Sequence, residues 1–367
     1  MKIALLGNHR PAHSTESDLV WTFRDMGHEV IPLQEDEVIS EQVFDVAKSC
    51  NLLFWMHTHG WLNRGDMFLC LARLRGLGVK TVSFSLDLFA EIGRAANYVG
   101  VHPWFKTDIF FGVDGGSEVF YRQHNVNHHW IRPGVIRRDC YCEGPDDMLA
   151  GDVCFIGSYH YHREWPYRPR LIDWLRQTYG DRFKKYGNPE ATVRGKLLNS
   201  VYASAKVVVG DSLCPGYTHP HYWSDRAYET LGRGGFLIHP WIQGMMQEFT
   251  DGVHLRFYEY GDFVELKRLI DYYVEHDAER ESIRRRGHLL VKEFCTYHNR
   301  MKELLAILTN PAAAKYAGSL ADLKWPEIAK PERLGDNEID EIGVMVARLY
   351  NAPVDLVIQE ARRRYRK

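Results

Sequence analysis

The chain has 367 residues, of which 45% are hydrophobic and 13% aromatic, and its formal net charge is −2. That is enough apolar material for two domains of ordinary size, and it excludes a disordered or fibrous protein. The near-neutral balance excludes a whole-molecule attraction to nucleic acid and leaves only local basic patches for such a role.

No apolar run reaches the ~18 residues of a membrane-spanning helix, so no membrane span is expected. The opening Met1-Lys-Ile-Ala-Leu-Leu-Gly7 is too short for a signal peptide and reads as a strand. Seven cysteines without regular spacing suit a reducing, cytoplasmic setting better than a disulfide framework.

Residues 2–7 form an apolar run ending in glycine, as buried parallel strands do. Ser14 or Thr15 can cap a helix over 16–27, and strands follow at 29–32, 52–56 and 79–84 with helices near 40–49 and 65–76 between them. Residues 109–112 and 130–131 look like two further short strands. Acidic, loop-like residues 143–152 then separate this half from a second series that opens at Val153. It continues with helices at 166–179 and 191–203 and strands at 183–186, 206–209, 236–238 and 253–258. Helices at 262–276 and 278–294 finish it, and a proline-bearing stretch at 310–335 leads to helices near 336–349 and 353–365. Strands alternating with helices imply an α/β protein with parallel, doubly wound sheets. The divisions expected are a first Rossmann-like domain over 1–145, a second over 146–309, and a C-terminal helical extension over 310–367. The basic end Arg362-Arg-Arg-Tyr-Arg-Lys367 complements a helix dipole and needs no nucleic-acid partner.

The second half centres on Tyr222-Trp-Ser-Asp-Arg-Ala-Tyr-Glu-Thr-Leu-Gly-Arg-Gly-Gly-Phe-Leu-Ile-His239, a loop, a short helix, a glycine turn and a strand. Ser224 or Asp225 can cap the helix. Arg226 lies in its first turn, where the dipole disfavours a cation unless an anion is near. Glu229 shares its face, three residues on. A guanidinium for phosphate and a carboxylate for ribose hydroxyls make a workable nucleotide-sugar site, although the same spacing describes an ordinary solvated ion pair.

Ligands of doubly wound sheets bind beyond the carboxyl ends of the strands. In the first half those positions hold Asn8, His9, Arg10, His57, Thr58, His59, Asp87 and Asp114. The second half places Ser158 to Arg163, Asn188, Asp211 to Asp225, His239 to Gly244 and Glu259 there. The pairs His57/His59, His160/His162 and His219/His221 have spacing that suits a metal. None is joined by a third ligand at motif spacing, so polar cleft lining is the preferred reading and no metal is assigned. Tyr159, Tyr161, Trp165, Tyr217, Tyr222 and Trp223 offer either a stacking surface or wall packing. No phosphate loop, dinucleotide fingerprint or nucleophile elbow is present.

Over residues 224–305 the sequence resembles the glycosyltransferases with two facing Rossmann domains, the GT-B architecture, and within them the CgeB-like branch of the family 4-type enzymes. The matching residues run from Ser224 to Phe236, then Gln247-Glu-Phe-Thr-Asp-Gly252, Phe257-Tyr258, Asp262, Glu265-Leu266 and Thr296-Tyr-His-Asn-Arg300. Val153-Cys-Phe-Ile-Gly-Ser158 with Arg163 extends the likeness across the second half. The resemblance implies transfer of a sugar from a nucleotide diphosphate sugar, expected to be a UDP-sugar, without a further cofactor. It implies that Glu229 holds the donor ribose, that Arg226 and Arg163 meet the diphosphate, and that main-chain amides up to Gly244 meet sugar or phosphate. Asn188 falls where the nucleobase is recognised, and an acceptor would enter past Asn8, His9, His57, His59 and Asp87. Where many relatives carry a first glutamate, eight residues before Glu229, this chain has His221. Retention without a metal is expected, since the leaving diphosphate can take the acceptor proton. An inverting route would need Asp87 or His57 as base. The acceptor is open between a glycan, a small metabolite and a modified DNA base. A nucleotide-sugar epimerase and a non-catalytic nucleotide-binding relative are the alternatives.

Overall fold

The computed structural model describes residues 1–58, 60–61, 64–90, 92, 98–160, 166–213, 219–309, 323, 325–326, 328, 334–349 and 354–366. The expected strands form β1 (Lys2–Gly7), β2 (Glu29–Gln34), β3 (Leu52–Trp55), β4 (Lys80–Phe84) and β5 (Ile109–Gly112), while β6 (His128–Trp130) begins two residues earlier than the expected strand at 130–131. They build one parallel six-stranded sheet in the order β2-β1-β3-β4-β5-β6. Helices α1 (Thr15–Asp25), α2 (Ser40–Ala47), α3 (Met67–Gly76) and α4 (Glu118–Gln123) pack around it. Ser14 caps α1 by accepting from the Ser17 N–H, and Gly27 takes the positive φ of +83° just beyond its end. Helix α4 was not expected from the sequence, being a single six-residue segment too short to display an amphipathic period.

The second series forms β7 (Gly151–Ile156), β8 (Phe183–Tyr186), β9 (Ala205–Val209), β10 (Leu237–Pro240) and β11 (Arg256–Tyr258), with α5 (Tyr167–Tyr179), α6 (Gly195–Ser204), α7 (Arg226–Gly232), α8 (Phe263–Glu275) and α9 (Asp277–Phe294). Its parallel five-stranded sheet has the order β11-β10-β9-β7-β8. Chain direction across each sheet therefore reverses beside its first strand, at β1/β3 and at β7/β9, and those crevices are where a doubly wound sheet receives its ligand.

Helix α10 (Tyr297–Thr309) returns to the first sheet, where Tyr297, Met301, Leu304 and Leu308 are buried with Ile3, Leu5, Leu19 and Phe23. The sequence reading ends the second domain at 309, yet this last helix belongs by its packing to the core of the first. A hairpin of α11 (Asp336–Leu349) and α12 (Val354–Tyr365) forms the helical C-terminal part. Its basic end is largely neutralised internally: Arg362 pairs with Asp340, Arg363 with Glu360 and Arg366 with Asp336. The two-domain GT-B arrangement expected from the sequence is the one observed. No helix among the described residues is long and apolar enough to cross a membrane.

Candidate functional site

The carboxyl ends of the two sheets meet. Gly115, beyond β5, forms an antiparallel bridge with His221, before α7. His219 Nε2 lies 3.2 Å from the Ala90 carbonyl, beyond β4. A Cβ on Gly195, at the start of α6, would stand 3.2 Å from the ring of His13 in the loop after β1.

At the β7/β9 crevice the chain is built for close approach. Gly157 follows β7 and donates its N–H to the Tyr186 carbonyl at 2.8 Å. A Cβ on Gly157 would stand 2.4 Å from Arg226 Nη1, and one on Gly187 would stand 2.7 Å from the Gly157 backbone. Arg226 rests over the Phe155 ring at 5.9 Å. Its guanidinium has no hydrogen-bond or ion-pair partner among the described residues, and its Nε is buried. Nearby cations do not share this condition: Arg168 binds the buried Asp211 at 2.7 Å. Ser224 Oγ accepts from the Arg226 N–H at 3.2 Å and closes the start of α7.

Glu229 lies one turn further along α7, half-buried, with its side chain 35% exposed. Burial first, then the neighbouring Asp225 carboxylate, raise its pKa against the opposing pull of Arg233, Arg226 and Arg194. Arg233 is the residue that sequence reasoning passed over. It stands 3.9 Å from Glu229, donates to Asp139 Oδ2 at 2.8 Å and to Asn199 Oδ1 at 2.6 Å. The glycine-rich turn in which it sits reads as a backbone feature, and nothing in its spacing points to Asp139 nearly a hundred residues earlier.

Other expected site residues are placed less favourably. Gly244 donates its N–H to the Pro220 carbonyl at 2.6 Å, so that amide is already used. Its glycine is required by packing instead, because a Cβ would press on Pro220, His221 and Trp223. The His57 side chain is 1% exposed and its Nδ1 bonds Glu35 at 2.5 Å, with the His102 ring stacked 4.5 Å away. It thus stands in the wall of the first domain rather than on the cleft surface. Asp114 is likewise structural: it accepts from the Phe89 and Ala90 N–H groups and from Tyr121 Oη. Those bonds and His128 hold its pKa below the ordinary value despite burial. Tyr222 and Trp223 are buried wall residues, which removes them from any stacking surface.

Asp87 is half-buried beyond β4 and its N–H bonds Ser85 Oγ at 3.0 Å. Asn8 and His9 follow β1; Asn8 Oδ1 lies 3.4 Å from Gln34 Nε2, and His9 Nε2 lies 3.0 Å from the Leu5 carbonyl. Burial lowers the His9 pKa. Asn188 follows β8, its carbonyl accepting from the Tyr159 N–H at 2.8 Å while its side chain is exposed. Arg163 and His59 lie outside the described residues, as do Tyr161, His162, Trp165 and Tyr217. Among the described residues no cluster of three metal-ligating side chains occurs.

A buried network ties the two domains together behind this cleft. Glu248 binds Arg300 at 2.7 Å and approaches Arg132 at 3.8 Å, and Tyr228 Oη donates to its other oxygen. Arg300 also donates to the Pro133 carbonyl at 2.8 Å.

Residues 163–306 match the glycosyl transferase-like family. Solved structures share the fold at low identity. An α-glucosyltransferase in complex with UDP-glucose and DNA containing an abasic site is 9% identical, with a TM-score of 0.58 over 84% of this chain and 100% of that one. The same type of enzyme with UDP and a 13-mer DNA containing an HMU base is 11% identical, with a TM-score of 0.63 over 84% and 99%. HepE of Anabaena in complex with UDP and glucose is 13% identical, with a TM-score of 0.57 over 84% and 99%. No curated protein matches the chain in sequence. Residues 163–306 of the second domain are thus glycosyl transferase-like, within a two-domain fold that the chain shares with these glucosyltransferase structures.

Proposed function

We propose that the chain transfers a sugar from a UDP-sugar to a glycan or small-metabolite acceptor, with retention and without a metal ion. The observation that carries this reading is the unpaired Arg226 guanidinium seated on Gly157 at the β7/β9 crevice, with Glu229 on the same helix face. A cation left without a partner in a partly buried crevice is costly unless an anion completes it. A diphosphate accepts its fork of donors. Glu229 is spaced to receive ribose hydroxyls, and its raised pKa is relieved by forming such bonds. Arg226 then offsets the charge that grows on the diphosphate as the glycosidic bond breaks. In the retaining route the leaving diphosphate takes the acceptor proton; Asp87 is the remaining candidate base for the inverting one.

A DNA acceptor is supported by the α-glucosyltransferases of similar fold, but the arginines of the first domain favour another substrate. Arg10 is paired with Asp36 and Glu37, Arg75 with Asp108, Arg138 with Asp18, and Arg64 with the Glu37 carbonyl. Arg73 lies flat on the Phe44 ring at 3.6 Å. These five side chains are engaged by neighbours, which leaves less free positive charge for a phosphate backbone among the described residues of this domain. The free thiols among the described cysteines suit action in a reducing compartment.

The test is release of UDP from UDP-sugars in the presence of glycan, metabolite and oligonucleotide acceptors, with and without EDTA. Turnover that needs a glycan or metabolite and survives EDTA is expected. Turnover only with oligonucleotide, falling steeply with salt, would transfer the reading to DNA. Abolition by EDTA would remove the metal-independent route.

A further inference from the structure

Five charged side chains of alternating sign run from the acceptor-side domain to Glu229. Asp18, on α1, accepts from Arg138 Nη2 at 2.9 Å. Arg138 Nε stands 3.7 Å from Asp139 Oδ1. Asp139 Oδ2 accepts from Arg233 Nη2 at 2.8 Å, and the same Nη2 stands 3.9 Å from Glu229 Oε1. The chain of contacts begins on the first domain, passes through the connecting segment and ends on the donor-side helix. Asn199 secures its middle, donating to the Asp139 and Tyr141 carbonyls at 2.9 Å each while accepting from Arg233.

We propose that Asp18, Arg138, Asp139 and Arg233 are positioning residues that couple the acceptor-side domain to the donor-binding carboxylate Glu229. The inference rests on the reading of Glu229 as the ribose ligand. None of the four needs to touch the donor. Asp139 fixes the guanidinium of Arg233, Arg233 fixes Glu229, and Arg138 carries the position of α1 into that arrangement. A change in the spacing of the domains therefore alters how Glu229 is held, which is a difference in donor affinity between the two arrangements.

Asp18 supports this role by the environment it tolerates. It is faced by Arg138 and Asp139 between β6 and β7, by Glu229 of α7 and Arg233 just beyond that helix, and by Tyr297 of α10. Burial, with the carboxylates of Asp139 and Glu229, pushes its pKa up to about 7. A residue needed only for packing would avoid carrying an acid in such a place, whereas functional sites tolerate that cost.

The test is titration calorimetry of the full chain with UDP and with 2′-deoxy-UDP, in the native protein and in Asp18→Asn, Asp139→Asn, Arg233→Lys and Glu229→Gln. The near-isosteric Asp18→Asn is the primary variant, and melting without ligand shows that each variant is folded. Asp18→Asn and Asp139→Asn are each expected to weaken UDP by about 3- to 10-fold, the range of couplings carried through intermediate residues. They should also shrink the preference for UDP over 2′-deoxy-UDP, a change that a loss of packing alone would not produce. If Glu229→Gln loses that preference while both asparagine variants bind as the native chain does, the coupling is overturned and the ribose reading stands. If Glu229→Gln itself binds both nucleotides like the native chain, the ribose reading falls, and the inference with it.

Discussion

Glu248 shows what a single buried carboxylate contributes when two arginines from different parts of the chain enclose it. Burial alone would raise its pKa, but Arg300 and Arg132 hold it down to about 2. A depressed acid stabilises the fold fully above its unfolded value near 4.5 and loses that contribution as pH falls toward 2. The shift corresponds to roughly 3 kcal/mol. Urea melts of native protein should therefore lose stability over this window, and Glu248→Gln should show a flatter pH profile there. Asp18 has the opposite sign. Its raised pKa leaves stability intact below pH 3.8 and erodes it as pH rises to about 7. Asp18→Asn should then melt higher than native protein at pH 8, by up to about 4 kcal/mol, with no gain at pH 3.5. Gly157→Ala is a sharper probe of the crevice, because its Cβ meets the mobile end of Arg226 rather than backbone. Since a side chain is also strained at the Gly157 φ of +156°, the variant should both weaken UDP binding and lower the melting temperature. Gly187→Ala, whose Cβ meets the Gly157 backbone at a φ of +102°, should mainly destabilise.

Among the elements, α7 and α9 pack through a glycine. A Cβ on Gly287 would stand 2.3 Å from the His254 carbonyl, so Gly287→Ala should cost about 1–3 kcal/mol in a urea melt, as overpacking does. Most elements were legible because their signals are local. Strands β5 and β8 fall where residues 109–112 and 183–186 were expected to be strands, and α1 begins at the Ser14 cap. Arg226 and Glu229 could be singled out because one short helix brings them together. The ion chain could not be seen, since Asp18, Asp139 and Arg233 meet only after the domains assemble. The partners of His57 and Gly244 were hidden for a related reason. A position beyond a strand end says that a side chain or amide is near the crevice, not that Glu35 or Pro220 has already taken it.

At the scale of the molecule, two parallel sheets turn their carboxyl ends toward each other. The return of α10 to the first sheet and the Glu248–Arg300–Pro133 network bind them behind the cleft. The unpaired guanidinium of Arg226, a described residue of the donor-side crevice, is the feature on which the functional account depends. The most direct measurement is titration calorimetry of UDP against the native chain and against Arg226→Ala. The account predicts saturable binding to the native chain and a loss of about 10-fold or more in the variant, as for a charge-assisted contact of 1.5–3 kcal/mol. Equal affinity in the two proteins, or no binding to either, would contradict it.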